Sequence, residues 1–190
     1  MPPPVLHPPG AGLPLLPRLY LRWFGRRGLR RKYTWDSALP AIEATAARLC
    51  EVAGGLPDDV LRRPVLVPPM TGLEDSSRYW SPAMVLQHLV MTGEIFSSVA
   101  LKLSRGETVT ETRGPADVKP RADAGAADVD AFRALHTGFG GRMRAEAGPD
   151  RAGAVSHHPW FGPLTARDWV ALCAAHMLIH ERQLQAILRG

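Results

Sequence analysis

The sequence has few cysteines, and this scarcity limits the kinds of site that it can build. Only Cys50 and Cys173 occur among its 190 residues, which excludes a disulfide framework and a cysteine-rich zinc site. Two cysteines within predicted helices are typical of a protein from a reducing compartment. We therefore expect the protein to be cytoplasmic.

The first 17 residues lack charged side chains, and they also lack the continuous apolar run of a signal peptide or a membrane helix. They contain seven prolines, at positions 2, 3, 4, 8, 9, 14 and 17. Proline removes a backbone donor and interrupts helices. We expect neither a signal peptide nor a membrane helix in this segment, but an extended or disordered arm.

Acidic residues are absent from the first 35 positions, which contain seven arginines and lysines. The other 155 residues hold 16 basic and 18 acidic groups, a net charge of −2. The basic pI of about 9.8 therefore reflects the N-terminal arm, and it does not predict nucleic-acid binding by the rest of the chain. We expect no nucleic-acid partner.

Aromatic residues alternate with arginines in the second half of this arm, at Tyr20, Trp23 and Phe24. Two interpretations fit: the arm lies on an anionic membrane surface or mediates weak self-association, including a homodimer, or its aromatics pack on the domain while its arginines stay in water. We interpret residues 1–34 as an arm and residues 35–190 as one domain. We expect the arm to be dispensable for folding.

Four segments have apolar residues at the three- and four-residue spacing of helices that face a core. They run from Trp35 to the stop at Gly54–Gly55, from Ser81–Pro82 to Leu103, from about Ala126 to Ala147, and from Thr165 to Leu188. No strand-like alternation appears. The pattern predicts an all-α four-helix bundle. Residues 106–125 are too many for a hairpin, so the second and third helices should be parallel.

His176 and His180 lie four residues apart in the apolar stripe of the last predicted helix, which places both imidazoles on one face. His88 lies near the core face of the second predicted helix. Three imidazoles with one open position are the ligand set of a catalytic zinc-type site. The alternative is a hydrogen-bonded pair of core histidines.

Several other metal and catalytic motifs are missing. A zincin protease needs glutamate after the first histidine of the pair, where this chain has Met177. No histidine has a glutamate three residues before it, which excludes the Glu-x-x-His element of carboxylate di-iron bundles. A G-x-S-x-G hydrolase motif is also absent. A mononuclear site remains.

Three sequence motifs then resemble those of the DinB/YfiT-like superfamily, in particular its small bacterial DinB-like proteins. They are W-S-P-x-x-V-L-Q-H-L at Trp80–Leu89, H-P-W-F-G-P-L-T-x-x-x-W from His158, and H-x-x-x-H-x-x-Q from His176. The resemblance implies an up-down-down-up four-helix bundle with long connections. It also implies a metal triad formed by His88, His176 and His180.

The better-understood branches of that superfamily use their metal to handle low-molecular-weight thiols. The resemblance therefore implies a metal-dependent enzyme acting on a small substrate, with thiol S-transfer as the leading reaction. The alternatives are metal-dependent hydrolysis and a non-catalytic metal- or ligand-binding module. We expect zinc, although three imidazoles also suit nickel or iron.

Further residues are interpreted in roles outside the metal triad, and no catalytic residue is assigned. His158, Trp160 and Gln183 are interpreted as part of the substrate pocket, with a turn residue and a surface glutamine as the alternatives for His158 and Gln183. We expect Cys173 to act as a small hydrophobic residue. For His136 we expect no metal role.

Overall fold

The computed structural model describes residues 4–10, 19–110, 113–146 and 153–190, and these form seven α-helices and two short strand pairs. The helices are α1 (Arg26–Lys32), α2 (Trp35–Gly54), α3 (Asp58–Arg62), α4 (Pro82–Ser104), α5 (Ala126–His136), α6 (Phe139–Glu146) and α7 (Ala166–Ile187). The strands are β1 (Val65–Leu66), β2 (Tyr79–Trp80), β3 (Ser156–His158) and β4 (Gly162–Leu164). A π-helical turn, Leu21–Gly25, leads into α1.

The bundle is built around α4, which packs along both α7 and α5, while α2 packs along the same two helices. Leu39, Leu86, Phe132 and Leu184 are among the fully buried side chains that fill the space between them. By length and composition α4 could also cross a membrane, but half of its most apolar window is buried inside the protein. The predicted all-α four-helix bundle is confirmed.

The two helices that present the histidines begin where their caps predict. Thr165 Oγ1 accepts from the Asp168 amide, and the Asp168 carboxylate accepts from the Thr165 amide at 3.1 Å, which completes a capping box. Ser81 Oγ accepts from the Met84 amide at 3.2 Å, and Pro82 occupies the first turn. These caps fix where α7 and α4 start, and therefore which faces their histidines occupy.

The third predicted helix is two helices, so the expectation of one element from Ala126 to Ala147 is wrong. The break lies at Thr137, which has an extended conformation, and at Gly138, which has φ +66°. A left-handed residue cannot continue a right-handed helix. The helix resumes at Phe139 as α6, and Ala147 lies outside the described residues.

Two antiparallel strand pairs form in the connections, although the sequence shows no strand-like alternation. Val65 in β1 lies opposite Trp80 in β2, and His158 in β3 lies opposite Gly162 in β4. Strands of two or three residues are too short to reveal a period of two. The second pair leads directly into the cap of α7.

The basic N-terminal segment is helical and contacts α7 through α1. Leu29 and Tyr33 are buried, and Arg30 forms two hydrogen bonds of 2.6 and 2.8 Å with the buried carboxylate of Asp168. Burial alone would raise the pKa of Asp168, but the hydrogen bonds from Arg30 and Thr165 outweigh it and hold that pKa below its usual value. An ion pair therefore connects this segment to the cap of α7.

The three aromatic residues that alternate with arginines do not pack on the bundle, so the interpretation in which they pack on the domain is wrong. Tyr20, Trp23 and Phe24 are exposed. Within the proline-rich segment, residues 4–10 form neither helix nor strand, and the amides of His7 and Gly10 donate to Asp75 and Glu74. Residues 1–3 and 11–18 lie outside the described part of the chain, and so does most of the proline-rich segment 1–17.

Candidate metal site

Three histidine side chains converge between α4 and α7. The Nε2 atom of His176 lies 3.3 Å from Nε2 of His88 and 3.2 Å from Nε2 of His180. The candidate ligand atoms of the three residues all lie within 4.8 Å of one another. The structure thus brings together the three residues selected from the sequence, and their binding of a metal stays a prediction.

Oxygen acceptors define the protonation of two of these rings. Nδ1 of His88 lies 2.7 Å from the Val118 carbonyl oxygen, which can only accept. Nδ1 of His180 lies 2.7 Å from Oε1 of Gln183, whose amide nitrogen donates to the Ser77 carbonyl. Both Nδ1 atoms must therefore bear the proton of the neutral ring. Nε2 of His88 and of His180 consequently presents a lone pair.

The donor set fits a metal ion better than a hydrogen-bonded cluster. A neutral His176 has one ring proton, so its Nε2 could donate to only one of the two neighbouring lone pairs. Tetrahedral zinc, with Zn–N bonds of about 2.0–2.1 Å, separates its ligand nitrogens by roughly 3.3–3.4 Å. The observed separations of 3.2 and 3.3 Å agree with that spacing.

Burial keeps the three imidazoles neutral. Desolvation lowers the pKa of His88 to about 4, against a raising effect of its bond to Val118. Desolvation, followed by repulsion from neighbouring histidines, holds the pKa values of His176 and His180 well below 6.5. A metal ligand must be a neutral imidazole. The site therefore has the required protonation state at neutral pH.

Aromatic rings hold the imidazoles in place. Trp80 stacks on His180 with an interplanar angle of 8° and a centroid distance of 5.9 Å, and it lies 5.0 Å from the ring of His88. Phe96 meets His176 edge to face at 5.5 Å. Because Trp80 ends β2 just before the cap of α4, the small strand pair positions one wall of the site.

The histidines line a cavity of about 720 Å³. It lies between α4, α7 and the connecting segments that contain residues 71–77, 113–119 and 156–161. His158 and Trp160 also line it, and their contact with a substrate stays a prediction. Desolvation lowers the pKa of His158 to about 4, and Nδ1 of this ring accepts from the Trp160 amide at 3.2 Å. Other aromatic side chains on the wall are those of Trp80, Phe96, Phe161 and Trp169.

Gln183, the third residue predicted for the pocket, lies behind His180 instead of on the cavity wall. Its side chain is fully buried and bonded to His180 and Ser77. The surface alternative is therefore wrong, and these contacts let Gln183 orient the ring of His180, a candidate metal ligand.

Sequence reasoning missed two contributors to the site, Val118 and Trp80. Val118 is apolar and lies in a polar connection without periodicity, so nothing marked its carbonyl as the partner of His88. In the structure, the side-chain amide of Gln87 binds residues beyond Val118: its oxygen accepts from the Arg121 backbone amide, and its nitrogen donates to Asp128. These bonds hold the connection against α4.

Two further side chains with potential ligand atoms, Cys173 and His136, lie outside the histidine cluster. Cys173 is buried, and desolvation raises the pKa of its thiol to about 12, so it remains protonated. It is not part of the group of potential ligands found among the described residues. His136 is buried between Phe132 and Phe139, with Nδ1 bonded to the Phe132 carbonyl.

Comparison with known proteins provides a family and a fold. The sequence model of the DinB superfamily matches residues 41–184. Among solved structures, the chain is similar to TT2238, a four-helix bundle protein, with 25% identity and a TM-score of 0.55; the match covers 80% of this chain and 99% of that one. No curated protein matches the sequence.

Proposed function

The chain belongs to the DinB superfamily, and from this premise we propose that it is a metal-dependent enzyme acting on a small substrate. His88, His176 and His180 hold a divalent ion, with zinc as the expected metal and nickel or iron as alternatives. The observation that supports this is the convergence of three Nε2 atoms at the wall of a cavity. We propose low-molecular-weight-thiol S-transfer as the reaction.

The residues around the triad have separable roles. Val118 and Gln183 hold the Nδ1–H groups of His88 and His180, so that the Nε2 lone pairs face the ion site. A divalent ion at such a site lowers the pKa of a thiol or a water molecule that binds to it. Trp80 and Phe96 keep the histidine rings in place and exclude water from their sides.

The cavity next to the triad has the size and lining of a small-molecule site. Its volume of about 720 Å³ lies within the range of about 300–1,000 Å³ that is usual for ligand pockets. Its aromatic wall suits the apolar part of a substrate, and His158 adds a polar group that is neutral at physiological pH. We propose that the substrate enters through this cavity and reaches the open side of the triad.

Metal content tests the ligand assignment. Each single substitution by alanine, at His88, His176 or His180, should abolish stoichiometric metal binding. The helical circular dichroism should be largely unchanged. His157→Ala is the matched control, because His157 is exposed and precedes the cavity residue His158. Full metal content in the His180→Ala protein would contradict the assignment.

Turnover tests the reaction class. Metal-loaded protein should transfer bacillithiol, mycothiol or glutathione to an electrophile, and the His180→Ala protein should not. Turnover that is metal-dependent but independent of added thiol would favour hydrolysis. Bound metal without any turnover and without an exchangeable ligand would favour the non-catalytic module.

A further inference from the structure

The helical turn that leads into α1 places its aromatic residues on the surface. Tyr20, Trp23 and Phe24 are 64%, 75% and 57% exposed. Every other tyrosine, tryptophan and phenylalanine in the described ranges is buried or half-buried. Clustered exposed aromatic side chains mark interaction surfaces more often than scattered apolar ones do.

The opposite side of the same helix is attached to the bundle, which fixes the direction in which the aromatics point. Gly25 and Leu29 are buried. A Cβ atom at Gly25 would lie 2.7 Å from the ring of Phe161, so only glycine allows this close approach. Arg30 pairs with Asp168, and Arg26 donates to the Pro163 carbonyl. The helix therefore cannot rotate its aromatic face inward without losing these contacts.

The outward face is also strongly basic. Arg22, Arg27, Arg31 and Lys32 are exposed beside the three aromatics. The first 35 residues hold seven basic and no acidic groups, whereas the other 155 hold 16 and 18. Positive charge is thus concentrated in the segment that carries the exposed aromatics.

We propose that this face, formed by residues 19–32, docks on an anionic lipid surface. Tryptophan and tyrosine concentrate at membrane–water interfaces, and a basic helix with exposed aromatics is the usual composition of an interfacial helix. Basic residues near an anionic membrane add an electrostatic attraction that salt weakens. Double-stranded nucleic acid would use the arginines but would leave the three exposed aromatics without a partner.

Vesicle flotation with the full-length protein tests the proposal. We expect binding to phosphatidylcholine vesicles that contain phosphatidylglycerol, little binding to pure phosphatidylcholine, and loss of binding at high salt. Trp23→Ser/Phe24→Ser and Arg27→Gln/Arg31→Gln should each weaken binding by about tenfold or more. All four side chains are exposed, so the variants should keep the thermal midpoint of the native protein.

Matched controls change the same chemistry elsewhere on the surface. Val52→Ser/Leu188→Ser removes two exposed apolar side chains, and Arg63→Gln/Arg144→Gln removes two exposed charges. Both controls should bind as the native protein does. Absence of vesicle binding, or equal weakening in controls and test variants, would overturn the proposal.

Two further measurements separate other partners. Stronger binding to duplex DNA than to anionic vesicles would overturn the proposal in favour of a nucleic-acid surface. A dimer in solution that Trp23→Ser/Phe24→Ser dissociates, without vesicle binding by the native protein, would overturn it in favour of self-association. None of these readouts depends on bound metal or on turnover.

Discussion

At the scale of single residues, Gln183 determines how His180 presents itself. The amide nitrogen of Gln183 donates to the Ser77 carbonyl, so its oxygen must face Nδ1 of His180. That arrangement leaves the His180 Nε2 lone pair for the ion site. Gln183 touches neither the cavity nor the proposed ion, but it can therefore control metal affinity through the tautomer of His180.

We predict that Gln183→Met weakens metal affinity by about 10- to 100-fold, because it removes the acceptor that orients His180. Gln183→Glu keeps an acceptor and should recover part of the loss. Gln185→Met, at an exposed position of the same helix, should bind metal normally. The measurement is competition with a chromophoric chelator, and equal affinities of the Gln183→Met and Gln185→Met proteins would contradict the prediction.

The buried imidazoles also predict how stability depends on pH in metal-stripped protein. His88 has a pKa of about 4 in the fold against 6.5 when unfolded, so only the unfolded chain takes up its proton between these values. The free energy of unfolding should have its full value above pH 6.5 and should fall as the pH decreases towards 4. Each such histidine contributes a slope of up to about 1.4 kcal/mol per pH unit.

Urea unfolding between neutral pH and about pH 5 measures this slope. His88→Gln removes one titrating group. It should reduce the slope of the unfolding free energy against pH by up to the contribution of one proton, about 1.4 kcal/mol per pH unit. His157→Gln, at an exposed position, should leave it unchanged. An apo protein whose stability is independent of pH over this range would refute the explanation.

At the scale of elements, the sequence predicted helices where periodicity and caps agree. Thr165 with Asp168, and Ser81 with Pro82, mark helix starts by local chemistry, and the structure has both. The spacing of His176 and His180 then placed two rings on one face. The carbonyl of Val118 could not be predicted, because its contact with His88 depends on how a connection without periodicity folds back.

The division of the third predicted helix shows the limit of periodicity. Val129, Phe132, His136, Phe139 and Met143 keep helical spacing and are all buried. Their pattern continues across Gly138, where the backbone is left-handed. Apolar spacing reports which side chains face the core, and it does not report a local break in the backbone between them.

We predict opposite effects of two alanine substitutions at this break. Gly138→Ala forces a left-handed conformation on a residue with a Cβ atom and should cost about 1–2 kcal/mol. Gly141→Ala lies within α6, where an added Cβ meets nothing within 4 Å, and should stabilise by about 0.5–1 kcal/mol. Chemical denaturation measures both, and effects of the same sign would show that the assigned backbone at Gly138 is wrong.

At the scale of the whole molecule, the contacts of α1 change the expectation for the N-terminal arm. The sequence suggested an arm that is dispensable for folding, because its charge and proline content differ from those of the domain. In the structure Leu29 and Tyr33 are buried, and Arg30 is the ion-pair partner of the fully buried Asp168. The boundary at residue 35 stays a prediction. It would place α1 in the arm and α7, which α1 contacts, in the domain.

Two truncations therefore test how far the folded unit extends. A protein beginning at Leu19 keeps α1 and should have nearly the thermal midpoint of the full chain. A protein beginning at Thr34 loses the burial of Leu29 and Tyr33 and leaves the Asp168 carboxylate without its partner. The expected cost is on the order of 3 kcal/mol, which lowers the midpoint by roughly 6–12 °C.

Arg30→Gln in the full chain separates the ion pair from the apolar contacts. It should lower the midpoint by part of the amount lost on truncation at Thr34, because the side chain of Arg30 is 38% exposed and its pairing is partly screened. Arg31→Gln, at the exposed neighbouring position, should have little effect. If the protein beginning at Thr34 has the same thermal midpoint as the full chain, α1 does not stabilise the domain. The capping box at Thr165 would then be sufficient to hold the start of α7.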